Sequence, residues 1–591
     1  MIIQRVLTNH KSRIFNSDLF ILGTIIFVAF CLRLNEIGLS LPYFYTIDEE
    51  EIVFQSLRMI ADGDFNPHYF LYGGFFYYLM AAIFWAYLKI HALFFSDAGL
   101  ISAGLNIHAI DFYFYYLGKF AALIFSLINI GLTYLIAGSL FNKKVAKLSA
   151  FFFALIPIDI FTSQQAKVDT CLVCWVLLTT YFSLKLLKEG DLKYYILSGI
   201  ALGLAVGTKW VFPVFLPVLV AHLFRINKDK SWKSAFFDYR IYLSAYLAFL
   251  VFFLTNPYFF LSFPEVLSTL QVARSDMQIL NDIMSGYFIR FFRELLIIFP
   301  VIFSPFLYVA ALTAIPIIWK NESKPVISVF LSFPFLFLIV YLSLYKSAWP
   351  HHFLPVMPFF VLSGSYLIIY LWQKPARKLK IIGHLIFFTT LIFFLSDLVM
   401  PHYRQGFTIY RELGKWVEEK IPNRNSVILS HILLDPTPRM KKLVTYYDNP
   451  NDLSEEMIRI LNPEYFILME FEPVFSKSVR YKKPYQVSKD LRHHDFPYII
   501  EKEFIYHKYL VKLVSLLLDL KDFVPNYVVY RRERVYSVAD KIDFIGKVVK
   551  EKDNESELKR VRNFIYQLDK KEQQALIEEM RKNNLKLWEN M

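Results

Sequence analysis

Charged side chains are scarce. Only 19% of the 591 residues are Asp, Glu, Lys or Arg, against 56% hydrophobic and 18% aromatic. A soluble chain carries about 25% charged residues, so the shortage excludes an ordinary soluble domain and points to a membrane protein. Cysteine is scarcer still. Three occur, Cys31, Cys171 and Cys174, all inside apolar runs. Cys171 and Cys174 form a CxxC without a second Cys or His pair, which argues against a zinc or redox centre and leaves two small residues on one helix face. Nothing suggests a disulfide framework. Internal repeats of about 20–50 residues and low-complexity tracts are also missing.

Long apolar runs are abundant instead. Residues 18–38 are too long for a signal-peptide core and no small-residue cleavage site follows, so they read as an anchor with a basic flank of Arg5, Lys11 and Arg13. Further spans are expected at 114–141, 145–163, 171–187, 194–208, 211–225, 241–256, 296–319, 326–345, 353–373 and 380–400, about eleven in all. The segment 69–95 is apolar enough to span as well. Charge decides against it. The formal net charge is +13, and basic residues of membrane proteins concentrate in cytoplasmic loops. With 69–95 left on the outer side and the N-terminus inside, clusters such as Lys143, Lys144 and Lys147, or Arg225, Lys228, Lys230, Lys233 and Arg240, fall inside. Only scattered residues such as Lys167, Lys209 and Lys346 fall outside. Counting 69–95 as a span inverts the whole set. The positive charge therefore reports topology, and no nucleic acid is expected.

Three domains follow: a transmembrane domain over 1–403, with a first extracytoplasmic loop at 39–113; a small extracytoplasmic α/β domain over 404–531; and a charged helical tail over 532–591. RELGKWVEEKI and LSEEMIRIL read as amphipathic helices, and SVILS, EYFILMEF and YVVYRR as strands. The tail, with FIYQL and ALIEEM, reads as a solvated helix.

The polar residues that interrupt the apolar pattern converge on the outer face. TIDEEE begins a helix: Thr46 and Glu49 fit a capping box, and acids in a first turn are favoured by the helix dipole. Within that run Asp48 is free to act as a general base towards a reactant at the membrane surface. His68 and Tyr72 lie in GDFNPHYFLYGG, where a Pro-initiated interfacial helix with an aromatic belt is the plainer explanation. Asp169 in AKVDT offers a second carboxylate, or simply a helix-start acid. Lys209 in GTKW lies between two short apolar segments, where a charge is costly and usually functional. KSAWPHH carries His351 and His352; adjacent residues share no helix face, so a phosphate suits one of them better than a metal suits the pair.

The order IDEEE, GDFNPHYFLY, LGKFAALIFSLINIGLTYLIAGSLF, SQQAKVDTCLVCW, SGIALGLAVGTKW and HHFLPVMPF resembles the family 39 glycosyltransferases, the protein O-mannosyltransferases, aminoarabinose transferases and their bacterial and archaeal relatives. The likeness covers roughly residues 15–530. It implies an α-helical polytopic enzyme of the type C glycosyltransferase fold in the cell membrane, with a polyprenyl-phosphate-linked sugar as donor and a glycan, lipid or protein as acceptor. It implies Asp48 as the catalytic carboxylate with Glu49 beside it, and a phosphate site drawn from Lys209, His351, His352, Tyr72 and His68. The chain departs from many relatives at Tyr72-Gly73, where they have Lys-Pro, and at His352-Phe353, where they have Arg-Tyr. Should a divalent metal take part, Asp48, Glu49 and Asp169 offer oxygen ligands suited to magnesium or manganese. Two other readings compete. A transporter or lipid flippase would show repeats and midplane charges, and a non-catalytic assembly subunit would have dispensable acids.

Overall fold

The computed structural model describes chiefly residues 2–38, 46–94, 112–227, 232–271, 294–344 and 350–399, and beyond them 411–417, 427–430, 444–447, 464–469, 498–504, 527–532, 536–551 and 570–583. The chain forms two compact units, Met1–Leu39 with Thr46–Arg404, and Ser40–Tyr45 with Gln405–Met591.

The first unit is built of helices. They are α1 (Ile2–Leu34), α2 (Ile47–Asp62), α3 (Gly74–Phe94), α4 (Phe112–Leu140), α5 (Lys143–Leu155), α6 (Pro157–Ser163), α7 (Asp169–Glu189), α8 (Leu192–Thr208), α9 (Leu216–Asn227), α10 (Trp232–Phe236), α11 (Tyr239–Thr255), α12 (Pro257–Leu261), α13 (Phe299–Phe303), α14 (Pro305–Asn321), α15 (Lys324–Leu344), α16 (Met357–Gln373) and α17 (Arg377–Val399). Among the described residues eight helices are long and apolar enough to cross a membrane, or up to ten if two bent pairs count as single spans. The chain is an integral, multi-pass membrane protein.

Burial sorts the helices. In α16 94% of the apolar window is buried, whereas in α11 it is 6% and in α1 and α17 17% each. The peripheral helices expose Phe249, Phe253 and Leu254, and Phe388 and Ile392. Faces of that kind would drive aggregation in water; against lipid tails they carry no such cost. Inside the bundle, Arg33 pairs with Asp159 at 2.6 Å, both wholly buried. Ser126 donates to Asp159 at 2.5 Å, and Arg33 donates to Ser126 at 2.7 Å and to the Ala154 carbonyl at 3.0 Å. Breaking such a pair would leave an uncompensated charge, so the cluster fixes α1, α4, α5 and α6 together.

Two local features prepare the site. Pro157 has no N–H to donate, and α5 and α6 meet there at a bend of 59°. The short α6 then hands the chain to the connector 164–168 before α7. The other feature is α3, which has the length and hydropathy of a span. Its first turn packs against the ends of α8 and α11 and against α7. Gly73 donates to the Thr208 carbonyl at 3.1 Å, Gly74 donates to Asn256 at 2.5 Å, and Phe75 meets the Trp175 ring at 5.8 Å. Farther along, Phe84 and Tyr87 touch Phe114, at 5.2 and 5.8 Å, near the first turn of α4.

The second unit holds a mixed sheet of order β2-β1-β3-β5-β4, with β1 (Val427–Ser430), β2 (Val444–Tyr447), β3 (Tyr465–Met469), β4 (Tyr498–Phe504) and β5 (Tyr527–Arg532). β1 runs parallel to β2 and β3; β5 runs antiparallel to β3 and β4. β1, β3 and β5 fall on the three expected strands, while β2 and β4 were not expected. Most of LSEEMIRIL lies outside the described residues. In the tail, α18 (Val538–Glu551) and α19 (Lys570–Lys582) each bury one face, with Ile542, Ile545, Leu576 and Met580, and Lys541 pairs with Glu572 at 2.5 Å.

Candidate active site

Helix α2 begins at Thr46, whose hydroxyl accepts from the Glu49 N–H while the Glu49 carboxylate accepts from the Thr46 N–H at 3.1 Å. This is the expected capping box. Glu49 is wholly buried, and its other oxygen accepts from the Ala166 N–H at 2.9 Å and lies 3.4 Å from Lys119. The neighbouring residues repeat the pairing: Lys167 contacts Asp48 at 3.0 Å. Two consecutive residues of α2 therefore clasp two consecutive residues of the 164–168 connector. Glu49 spends both oxygens on this clasp, whereas the Asp48 side chain remains 24% exposed.

A second carboxylate–ammonium pair lies alongside. Asp169, at the start of α7, contacts Lys209 at 2.8 Å. Tyr72 joins the two pairs: its hydroxyl donates to Asp48, and the Lys209 ammonium stands 5.3 Å from the centre of its ring. Tyr72 reaches this position through close backbone contact. A side chain at Gly73 would collide with the Gly207 carbonyl oxygen, so only glycine lets the 72–74 segment lie against the end of α8. Trp210 adds a donor to the Phe70 carbonyl at 3.1 Å.

The electrostatics follow from these contacts. Burial would raise the Asp48 pKa, but Lys167, His351 and the Tyr72 hydroxyl outweigh it and hold the carboxyl well below its usual range. Burial would lower the Lys167 pKa, yet Asp48 and Asp169 raise it above the ordinary lysine value. Tyr72 is pushed well above the phenol range, first by burial and then by the Asp48 charge, so it remains a donor. Burial raises Glu51, which accepts from Gln55 at 3.3 Å.

Asp48, Tyr72, Asp169 and Lys209 thus come together. His351 lies within electrostatic reach of Asp48, Lys167 and Lys209. His352 stacks edge-on against it at 4.5 Å and hydrogen-bonds Tyr341. His68 belongs to another cluster. It bonds Glu265 at 2.8 Å and Asp64 at 2.9 Å, and Asp64 lies just past the far end of α2. The three carboxylates suggested as metal ligands do not share one point. Asp48 and Asp169 face separate lysines, and Glu49 is turned to the cap, Ala166 and Lys119. This donor set, already neutralised by ammonium groups, does not suit a divalent cation. Among the described residues no group of three or more His, Cys, Asp or Glu could hold a metal.

Sequence reasoning missed Lys167 and Lys119. Lys119 had a signal, since a lone lysine within the apolar run 114–141 demands a partner. Lys167 had only its position two residues before Asp169.

A comparison with curated proteins finds no match. Among solved structures the chain is similar to ArnT from Cupriavidus metallidurans bound to undecaprenyl phosphate, at 14% identity and a TM-score of 0.46, over 72% of this chain and 85% of that one. It is also similar to the archaeal oligosaccharyltransferase AglB from Archaeoglobus fulgidus in complex with an inhibitory peptide and a dolichol-phosphate, at 11% identity and a TM-score of 0.45, over 80% of this chain and 72% of that one. In sequence, residues 117–259, which include Lys119, Lys167, Asp169, Lys209 and Asn256, match the family described as dolichyl-phosphate-mannose-protein mannosyltransferase.

Proposed function

We propose that the chain is a membrane glycosyltransferase that moves a sugar from a polyprenyl-phosphate carrier to an acceptor hydroxyl on the extracytoplasmic side, with inversion. The observation that carries this reading is the pair of carboxylate–ammonium contacts joined by Tyr72 at one end of an apolar bundle. It supplies a base and two cations where a lipid-borne phosphate can arrive. The family match over 117–259 supports the donor class.

In this reaction Asp48 takes the proton of the acceptor hydroxyl as its oxygen attacks the anomeric carbon from the face opposite the phosphate. Lys167 and Lys209 stabilise the charge that builds on the leaving phosphate, with His351 and His352 beside them. A phosphate leaves without a strong acid, so one base and a cationic clamp suffice. Tyr72 orients Asp48. The acceptor is a glycan, lipid or protein hydroxyl. The charge distribution supports a cytoplasmic N-terminus and an extracytoplasmic second unit in the cell membrane.

The test is sugar transfer by the purified protein in liposomes, from a panel of polyprenyl-phosphate-linked hexoses and pentoses to membrane extracts as acceptor. Transfer from one of them, with carrier phosphate released, is the expected result. Carrier movement across the bilayer without sugar transfer would instead establish the flippase reading.

A further inference from the structure

The reaction just described moves a negative charge, and Lys167 stands where that movement begins. As the acceptor oxygen bonds to the anomeric carbon, the bond between that carbon and the phosphate oxygen breaks and its electron pair stays on the phosphate. The hydroxyl proton passes to Asp48. A phosphodiester with one charge becomes a monoester that gains a second, and a carboxylate becomes a neutral acid. Lys167, 3.0 Å from Asp48 and buried, loses the counter-charge it contacts in that step and keeps only the more distant fields of Asp169 and Glu49.

We infer that Lys167 exchanges partners during turnover, leaving Asp48 for the carrier phosphate as the charge passes from one to the other. The inference rests on the glycosyltransferase reading. Three features support it. A buried ammonium beside a neutral acid is costly, and a phosphate dianion nearby removes that cost. The lysine side chain is a point charge on a flexible four-carbon stem, whereas its backbone is fixed. The Ala166 N–H is held by Glu49 at 2.9 Å, and the Lys167 N–H donates to the Gln165 carbonyl at 2.8 Å. Only the side chain need move. Lys209 differs, because its partner Asp169 takes no proton in the reaction and keeps its charge. One cation is therefore stationary and the other follows the reaction. The exchange also lets the free enzyme keep its base paired until the carrier arrives.

A double-mutant cycle on the intact protein tests this without needing the sugar or the acceptor. Undecaprenyl phosphate and, in parallel, dolichyl phosphate are titrated into wild type, Asp48→Asn, Lys167→Met and the double variant. Asp48→Asn releases Lys167 in advance and should bind the preferred carrier about fivefold or more tighter than wild type. In the Lys167→Met background the same substitution should give little gain. Lys167→Arg keeps the charge and should restore the coupling, which a merely structural role would not require. If Asp48→Asn tightens binding equally in both backgrounds, simple relief of repulsion explains it and the exchange is refuted. If it tightens binding in neither, the exchange is likewise refuted. If no form binds either carrier while all remain folded, the glycosyltransferase reading itself fails.

Discussion

The two ends of helix α2 carry acids of the same kind in opposite settings. At its start Asp48 and Glu49 meet Lys167 and Lys119, whose side chains are 10% and 3% exposed. Past its end Asp64 meets Arg58 and His68, and His68 also meets Glu265; Asp64, His68 and Glu265 are all 43–46% exposed. The second cluster is as well connected as the first. Asn66 donates to Ser262 at 3.1 Å and to Glu265 at 3.2 Å, and Arg58 donates to the Asn66 carbonyl. The contrast is in solvent. Exposed pairs are screened and contribute about 0–1 kcal/mol, whereas breaking a buried pair costs about 3–5 kcal/mol. Connectivity does not distinguish the two ends; the buried cation behind a partly open carboxylate does.

The largest expected effect falls on Asp48. Asp48→Asn keeps the shape and removes the base, so transfer should fall by about 10²–10⁴-fold while carrier binding persists. Asp64→Asn, at the other end of the helix, should leave transfer near wild type. Both are measured by initial rates at matched expression. Equal losses in the two variants would erase the distinction between the ends.

Glu49 comes next, and its effect should be on stability. Glu49→Gln can still close the capping box but leaves Lys119 buried without its counter-charge, at a cost of about 3–5 kcal/mol. A lowered thermal unfolding midpoint in detergent, partly recovered by adding Lys119→Met, is the expected outcome. Unchanged stability with lost transfer would return Glu49 to the chemistry.

What the sequence made legible follows the same division. The capping box was readable because Thr46 and Glu49 are three residues apart and interact locally. Lys209 was readable because an isolated charge between apolar segments needs a reason. The expectation that 69–95 stays on the outer side came only from the signs of the flanking loops. Lys167 was not readable as a site residue, because its partner lies on a distant helix and only the bend at Pro157 and the turn after α6 bring them together. His68 was grouped with Tyr72 because they share one loop. Its backbone has a φ of 52°, and its ring bonds Asp64 and Glu265 rather than reaching the Asp48 cluster. β2 was missed because VTYY shows neither the apolar run that marked the equally short β1, VILS, nor period-two alternation.

Gly73 tests how finely the first cluster is set. Gly73→Ala would force the 72–74 segment away from Gly207 and carry Tyr72 off both Asp48 and Lys209. Overpacking of this kind costs about 1–3 kcal/mol, so a modest drop in unfolding midpoint should accompany a clear loss of transfer. Gly63→Ala, beside Asp64, meets no atom within 4 Å and is strained only through its φ of 69°; it should cost some stability but little transfer. If Gly73→Ala transfers normally, the placement of Tyr72 is not critical.

The smallest effect belongs to the exposed cluster and is best seen against pH. The Asn66 N–H, then His68 and Arg58, hold the Asp64 carboxyl down at about 2, below the value of about 3.9 for an unfolded aspartate. A depressed pKa in the folded state means that the stabilisation is fully present above the unfolded value. It is lost as pH falls through the folded one. Wild type should therefore lose a small increment of stability between roughly pH 4 and 2 that Asp64→Asn never had. The two unfolding midpoints should differ near neutrality and converge in acid. Solvent at this end of α2 keeps the difference small. A gap that persists undiminished at the lowest pH would mean that Asp64 acts through shape rather than charge.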